Sequence, residues 1–221
     1  MNRILVVSPH PDDAEIGMGG AMFRMKEEGD RVTLAVCAGP GDLTMVHSGQ
    51  TIPFEQRRKE QEAAAQVLGC GVEWLDLAPA SRFDTVPQAN FVSAFDRLFK
   101  QFDQVYLPLP SYNADHRIVF EAGLAAFRPG KLDKVGLFAY EQACSQCLGE
   151  PGQWPWGRRY IGLTAYNLRA KKSALEAHES QIGARGDTIY GPVGIEALAR
   201  LRGLEIGVPL AEMVYLLRER V

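Results

Sequence analysis

Along the first 140 residues, short apolar runs alternate with longer segments whose apolar positions recur at helical spacing. Residues 3–8 (RILVVS) form a β-branched run ending in a Pro-rich corner, and residues 32–37 (VTLAVC) form a second. Between them Ile16, Met18, Ala21, Met22 and Met25 keep helical spacing, and Gly29-Asp30 supplies a stop. Residues 39–53, rich in Gly, Pro, Ser and Thr, read as a long loop, which in such a domain lies at the carboxyl ends of the strands. A helix is predicted over 54–68 with Gly69 as its stop, then a strand over 72–77 (VEWLDL) and a helix over 88–102. A strand over 104–107 (QVYL) runs into Pro108 and Pro110, followed by a helix over 115–127 and a strand over 135–140. Alternation of this kind implies a mainly parallel sheet covered on both faces. The fold class is therefore α/β, a Rossmann-like three-layer arrangement.

The C-terminal third is less regular. Residues 149–157 (GEPGQWPWG) read as a loop or lobe boundary, where Trp154 and Trp156 suit either stacking on a ring or anchoring the loop. A helix is predicted over 167–182, a second over 195–202, and a strand over 211–217 (AEMVYLL) that can close the sheet. No repeat or low-complexity segment interrupts this order, so residues 1–221 read as one domain with a less regular C-terminal lobe.

Composition narrows the function classes. Of 221 residues 46% are hydrophobic and 23% charged, enough for one substantial core. With 24 Lys plus Arg against 27 Asp plus Glu the net charge is −3, and no basic run appears, which argues against nucleic acid as the main partner. No apolar stretch approaches the roughly 20 residues of a membrane span. Met1-Asn2-Arg3 leads straight into the first strand without a signal-peptide pattern, so a cytoplasmic location is expected. Cys37, Cys70, Cys144 and Cys147 contain one lone C-x-x-C and read as reduced thiols.

The chemistry concentrates where the first strand ends, at Ser8-Pro9-His10-Pro11-Asp12-Asp13-Ala14-Glu15. His10 and Asp13 are three apart across a turn fixed by Pro11, so an imidazole and a carboxylate can converge on one cation. Asp12 between them cannot easily share that geometry and is free to act as general base toward the metal's water. The competing reading, an Asp that merely caps the following helix, accounts for one carboxylate but not for the cluster. Gly17-Met18-Gly19-Gly20 is not a G-x-G-x-x-G fingerprint, and the neighbouring acids would repel a pyrophosphate; these glycines read as close packing of the helix against the strands. A catalytic zinc keeps three protein ligands, so a third must come from elsewhere. Among His10, His47, His116 and His178, His116 holds the matching position after the strand at 104–107. Asp115 can orient one of the imidazoles from behind, which one being left open. His47, in the long loop, is not expected to be a ligand.

His10-Pro11-Asp12-Asp13 with the glycines, Arg57-Arg58-Lys59-Glu60 with Leu68-Gly69, Asp115-His116, Lys172 with His178-Glu179-Ser180-Gln181, and Ala211-Glu212 together resemble the LmbE-like (PIG-L) zinc-dependent N-acetyl-sugar deacetylases, over nearly the whole chain. The resemblance implies a hydrolase acting on a linear amide C–N bond of an N-acetylglucosamine-type sugar or glycoconjugate, with release of acetate and a free amine. It implies zinc, or another divalent transition metal, on His10, Asp13 and His116, with Asp12 as base, Arg57 near substrate or acetate and Asp76 on sugar hydroxyls. Members of that family commonly read His-x-Asp-His where this chain has Asn113-Ala114-Asp115-His116, and Asn does not titrate. Proton delivery to the leaving amine then falls to Asp12 or to His178, with Asn113 left to bind substrate. Two alternatives stay open: a non-catalytic sugar- or metabolite-binding protein, and a zinc amidohydrolase for another acylated small molecule. The partner in every reading is a small molecule; homo-oligomerisation is a further open alternative.

Overall fold

The computed structural model describes residues 1–45, 49–80, 82–130, 132, 134–142, 155–182 and 188–220. In chain order the elements are β1 (Arg3–Ser8), α1 (Asp13–Glu27), β2 (Arg31–Gly39), β3 (Leu43–Thr44), β4 (Thr51–Ile52), α2 (Phe54–Leu68), β5 (Gly71–Pro79), α3 (Gln88–Leu98), β6 (Gln104–Pro108), α4 (Ala114–Ala126), β7 (Gly136–Tyr140), β8 (Gly157–Gly162), α5 (Ala165–Glu176), α6 (Glu179–Ile182), α7 (Pro192–Glu205) and β9 (Ala211–Arg218). Single 3₁₀ turns cover Phe83–Thr85 and Phe99–Gln101, the latter finishing the segment expected as one helix over 88–102. One sheet runs in the order β5-β2-β1-β6-β7-β9-β8, and β3 pairs β4 in a small hairpin within the expected long loop. No helix of the described residues is long and apolar enough to cross a membrane.

The strands from β5 to β7 are parallel. β1, β6 and β7 are buried almost throughout, the reason their sequences are unbroken apolar runs rather than alternations. α1, α2 and α5 pack together as one helical group and α3 with α4 as another, flanking the sheet. The C-terminal segment continues the same sheet: β9 pairs antiparallel with β7, and β8 antiparallel with β9. β8 has no counterpart among the expected strands. Its sequence GRRYIG lies on the sheet edge with the first three residues exposed, so it lacks the apolar run that betrays a central strand.

From β1 the chain builds outward through β2 and β5, then returns to the other side of β1 as β6. The carboxyl ends of β1 and β6 are thus neighbours at the point where strand order reverses, the place where open α/β sheets bind ligands. Two predicted helices are remodelled close to that point. The segment 167–182 is two helices, α5 and α6, broken at Ala177-His178, and α5 starts at a capping box in which Thr164 and Asn167 exchange hydrogen bonds. α1 is interrupted at Met18, whose φ of −145° and ψ of 25° are not helical. Past the break, the N–H groups of Gly20 and Ala21 donate to the Glu212 carboxylate at 3.3 and 2.6 Å, and Lys171 is ion-paired to the same group. An acid from the last strand therefore caps the second half of the first helix.

The glycines of α1 permit these approaches. A methyl on Gly17 would lie 2.3 Å from Tyr140 Cδ2 and 2.8 Å from the Glu141 carbonyl, one on Gly19 would lie 3.2 Å from Lys171 Cγ, and one on Gly20 2.7 Å from Leu163 Cδ1. Close packing is the correct reading of the cluster, although only Gly17 faces a parallel strand. Because Tyr140 is fully buried and donates to the Val7 carbonyl at 2.9 Å, it cannot yield to an added methyl. Gly17→Ala is expected to lower unfolding stability by about 1–3 kcal/mol, read as a reduced denaturant midpoint; an unchanged midpoint would show that the helix can step away from Tyr140.

Candidate metal centre

β1 delivers the chain into a tightly bound corner. Ser8 Oγ donates to the His10 carbonyl at 2.7 Å and accepts from the Ala14 N–H at 3.2 Å, closing the loop over itself. At its centre Asp12 adopts a left-handed backbone with φ of 97°. A non-glycine residue there costs of order 1–3 kcal/mol and persists only where the surroundings hold it. Here the Asp12 N–H donates to Gln61 Oε1 at 3.4 Å, and the side chain makes no capping bond to α1 although it stands at the cap position. Helix capping is therefore not what Asp12 does.

Asp13 is the hub. Its Oδ2 accepts from the His10 N–H at 3.0 Å and lies 3.2 Å from both His10 Nδ1 and His116 Nε2. One donor atom from each of His10, Asp13 and His116 falls within 4.8 Å of the others, and all three residues are buried. The outer nitrogens are held as well: His10 Nε2 is 2.8 Å from Asp115 Oδ2, and His116 Nδ1 is 3.0 Å from Ser111 Oγ. Asp115 thus orients His10 across the strand boundary rather than its sequence neighbour His116, and its other oxygen accepts the Phe83 N–H at 3.3 Å. Gln142 donates to the Asp13 carbonyl at 3.3 Å from the end of β7.

Burial disfavours the His10 imidazolium, but the Asp115 and Asp13 carboxylates outweigh it and raise the pKa to about 9. Burial likewise opposes ionisation of Asp13, yet the two imidazoles hold its carboxyl well below the usual carboxylate range. Two imidazole nitrogens and one carboxylate oxygen, converging with their outer positions fixed, form a donor set that fits zinc or a neighbouring divalent transition metal.

A polar cluster is buried beside this centre. Arg57, Gln61 and Phe54 share the inner face of α2, so Arg57 is buried rather than part of a solvated helix face. Gln61 donates to Glu15 Oε1 at 2.5 Å, and Ser180 donates to both oxygens of Glu60 at 3.1 and 2.6 Å. His178, at the break between α5 and α6, is 1% exposed, with Nε2 3.8 Å from Glu15 Oε1 and neither ring nitrogen hydrogen-bonded among the described residues. Burial alone would lower its pKa; Glu15, Asp12 and Glu60 together raise it above the ordinary value.

Other expected residues lie elsewhere. Asn113 is exposed and uses its side-chain oxygen to cap α4, accepting from the Asp115 N–H at 2.9 Å. Asp76 is exposed at the irregular end of β5 with φ of 47° and has no hydrogen bond to the His–Asp cluster. Lys172 pairs with Glu196 on the outside, whereas its neighbour Lys171 is the buried lysine. Trp156 packs between Phe120 and Tyr215, an anchoring role. Burial pushes the Cys37 and Cys70 thiols up, Cys70 to about 12, so neither is reactive. His47, Cys144, Cys147 and Trp154 lie outside the described residues. The sequence reading missed Gln61, Ser111, Phe83 and Gln142. Gln61 follows Arg57 by one turn on the apolar side of α2 and was within reach of a helical-face argument; the other three carry no sequence signal.

The family described as PIG-L, GlcNAc-PI de-N-acetylase, matches residues 5–127, more than half of the chain. A 1D-myo-inositol 2-acetamido-2-deoxy-alpha-D-glucopyranoside deacetylase of Nocardioides sp. (strain ATCC BAA-499 / JS614) is 39% identical over 75 residues, 30% of this chain and 25% of that protein, so the match spans a quarter of that relative's length. Among solved structures, the conserved protein TT1542 of Thermus thermophilus is 26% identical with a TM-score of 0.72 over 100% of this chain and 97% of its own. The A40926 pseudoaglycone deacetylase Dbv21 is 19% identical with a TM-score of 0.76 over 99% and 98%. GalB, the 4-carboxy-2-hydroxymuconate hydratase of Pseudomonas putida KT2440, is 21% identical with a TM-score of 0.69 over 100% and 98%. Likeness to these last two concerns the fold alone, which hosts more than one chemistry.

A pKa near 9 means that His10 carries a proton at neutral pH in the metal-free protein, which a metal must displace. Calorimetric zinc titration in buffers of different ionisation enthalpy is expected to show net proton release near neutral pH. Apparent affinity should climb with pH and level off above about 9. A titration with no proton exchange at neutral pH would contradict this charge assignment.

Proposed function

The chain belongs to the PIG-L, GlcNAc-PI de-N-acetylase, family, and from that premise we propose that it is a zinc-dependent hydrolase that removes acetyl from an N-acetylglucosamine-type sugar or glycoconjugate. The observation that carries the reading is the buried His10–Asp13–His116 cluster with a further buried carboxylate, Asp12, next to it in the chain and not spent on a helix cap. His10, Asp13 and His116 would hold the ion, which when bound supplies a Lewis acid for the acyl carbonyl and makes water a usable nucleophile near neutral pH.

The remaining work falls to the protein's own side chains. Asp12 takes a proton from the attacking water as the new O–C bond forms. Breaking the C–N bond leaves acetate and an amine that needs a proton. Asn113 cannot supply it, since an amide does not titrate and its oxygen is held at the α4 cap. Asp12 therefore returns the proton to the amine nitrogen, and His178, whose charged form is favoured by Glu15, Asp12 and Glu60, stands behind it as a second source. Arg57 lies on the same inner face of α2 as Gln61, which touches the Asp12 backbone, and would meet the substrate or the released acetate. Asp76, exposed at the carboxyl end of β5, would accept hydrogen bonds from sugar hydroxyls.

Asn113 also favours a second reading, a binding protein that has lost turnover. Free-amine release from a panel of N-acetylglucosamine glycosides by the zinc-loaded protein separates the two. The wild type is expected to release amine; Asp12→Ala should lower kcat/KM roughly 10²–10⁴-fold while retaining zinc, and His10→Ala should lose both zinc and activity. Saturable binding of these glycosides without amine release would establish the binding protein. Undiminished turnover after complete chelation would remove the metal mechanism altogether.

A further inference from the structure

The 3₁₀ turn at Phe83–Thr85 stands against the metal centre and reaches His10 in two ways. The Phe83 N–H donates to Asp115 Oδ1 at 3.3 Å, while the other oxygen of that carboxylate is 2.8 Å from His10 Nε2. The Phe83 ring meanwhile lies 5.1 Å from the His10 imidazole, centroid to centroid, at an interplanar angle of 44°. One residue therefore acts on the same ligand through its backbone and through its side chain.

Behind Phe83 runs a column of aromatic rings. Phe91 lies 5.3 Å from it, and Phe95, Phe99 and Phe127 continue the contact at 6.5, 5.0 and 5.5 Å. Phe91, Phe95 and Phe99 recur every four residues along α3 and the 3₁₀ turn that follows it, so they stack on one side. All five rings are buried, and a close-packed column of this kind yields little when pushed. The turn itself is closed by the Arg82 N–H, which donates to the Pro79 carbonyl at 2.9 Å, and by the Thr85 N–H and hydroxyl, which donate to the Arg82 carbonyl at 3.1 and 2.6 Å.

We propose that Phe83 is a positioning residue of the metal centre: backed by the column, its ring holds the His10 imidazole in the orientation in which it meets the ion. The inference rests on the metal-centre reading, to which it adds a determinant of metal affinity that is not itself a donor. Asp13 and Asp115 act on the two imidazole nitrogens, whereas packing against the ring as a body restrains its tilt, and a ligand is held to the tolerance a metal requires only when both restraints operate. The buried phenyl ring also keeps water from the His10–Asp115 pair, where a low local dielectric strengthens the hydrogen bond.

Phe83→Leu and Phe83→Met keep the backbone N–H on Asp115 and remove only the ring. Phe95→Leu deletes an equally buried ring further along the column, away from His10, and serves as the control. Competition with a chelator reads zinc affinity, and nuclear magnetic resonance of the metal-free protein reads the solvent exchange of the His10 ring proton held by Asp115. Phe83→Leu is expected to weaken zinc binding about tenfold and to speed that exchange. Phe95→Leu should lower the denaturant midpoint and leave both readouts at wild-type values. Should Phe83→Leu fail to fold, Phe83→Met, closer in volume and adaptable, decides in its place. Wild-type zinc affinity and exchange in the Phe83 variants, or equal losses in Phe95→Leu, overturn the proposal. A wild type that binds no zinc refutes the metal-centre reading instead, and exchange in the metal-free protein then decides alone whether Phe83 holds His10.

Discussion

Asp13 places one carboxylate oxygen 3.2 Å from nitrogens of two imidazoles that arrive from different strands. Like any buried charge it must be matched where it sits, and here the matching groups are the very donors that would share a cation with it. Its surroundings follow from that requirement. Asp115 and Ser111 fix the outer nitrogens, Gln142 holds the Asp13 carbonyl, and the Ser8 hydroxyl ties the corner to the start of α1. Strain is accepted at Asp12, which turns through a left-handed conformation immediately before α1 begins at Asp13.

The scaffold extends this control well beyond the loop. α1 carries Asp13 at its first position and breaks five residues later at Met18, and what stabilises the break comes from the far end of the chain. Glu212 of β9 caps Gly20 and Ala21, with Lys171 of α5 compensating its charge. Tyr140 of β7 rests against Gly17. The C-terminal strands therefore do more than extend the sheet: they clamp the helix that bears the centre. A helix broken between two glycines gains little from intrinsic propensity, so tertiary contacts supply its stability.

The second buried cluster gives the site its asymmetry. Beside the two imidazoles and Asp13 lies a second polar group, with Glu15, Gln61 and His178 buried and Glu60 half-buried. With Asn113 committed to the α4 cap, the described imidazole not facing the Asp13 hub is His178. Its depth opposes the charged ring, but its acidic neighbours outweigh burial and favour it, which matches the negative charge gathered around Glu15.

Much of this was legible in the sequence because it depends on local physics. β1 and α2 have the predicted bounds, since a β-branched run ending at a Pro-rich corner and an amphipathic stretch closed by a left-handed Gly69 are specified by near neighbours. The grouping of His10, Asp12 and Asp13 was legible for the same reason, as was His116 at a second strand end. Other features depend on residues far apart in the chain. That His116 joins His10 at Asp13, and that Asp115 serves His10, follows from β6 pairing with β1, a register no local pattern contains. The edge strand β8, the break in α1 and the burial of His178 share that origin: each is stable only because a partner on another element, distant in the chain, satisfies its polar groups or balances its charge. Sequence alone thus determined which side chains were available for the chemistry and which strand ends would carry them. The tertiary structure decided which of them meet, because hydrogen bonding and charge compensation in a buried site are properties of neighbours in space.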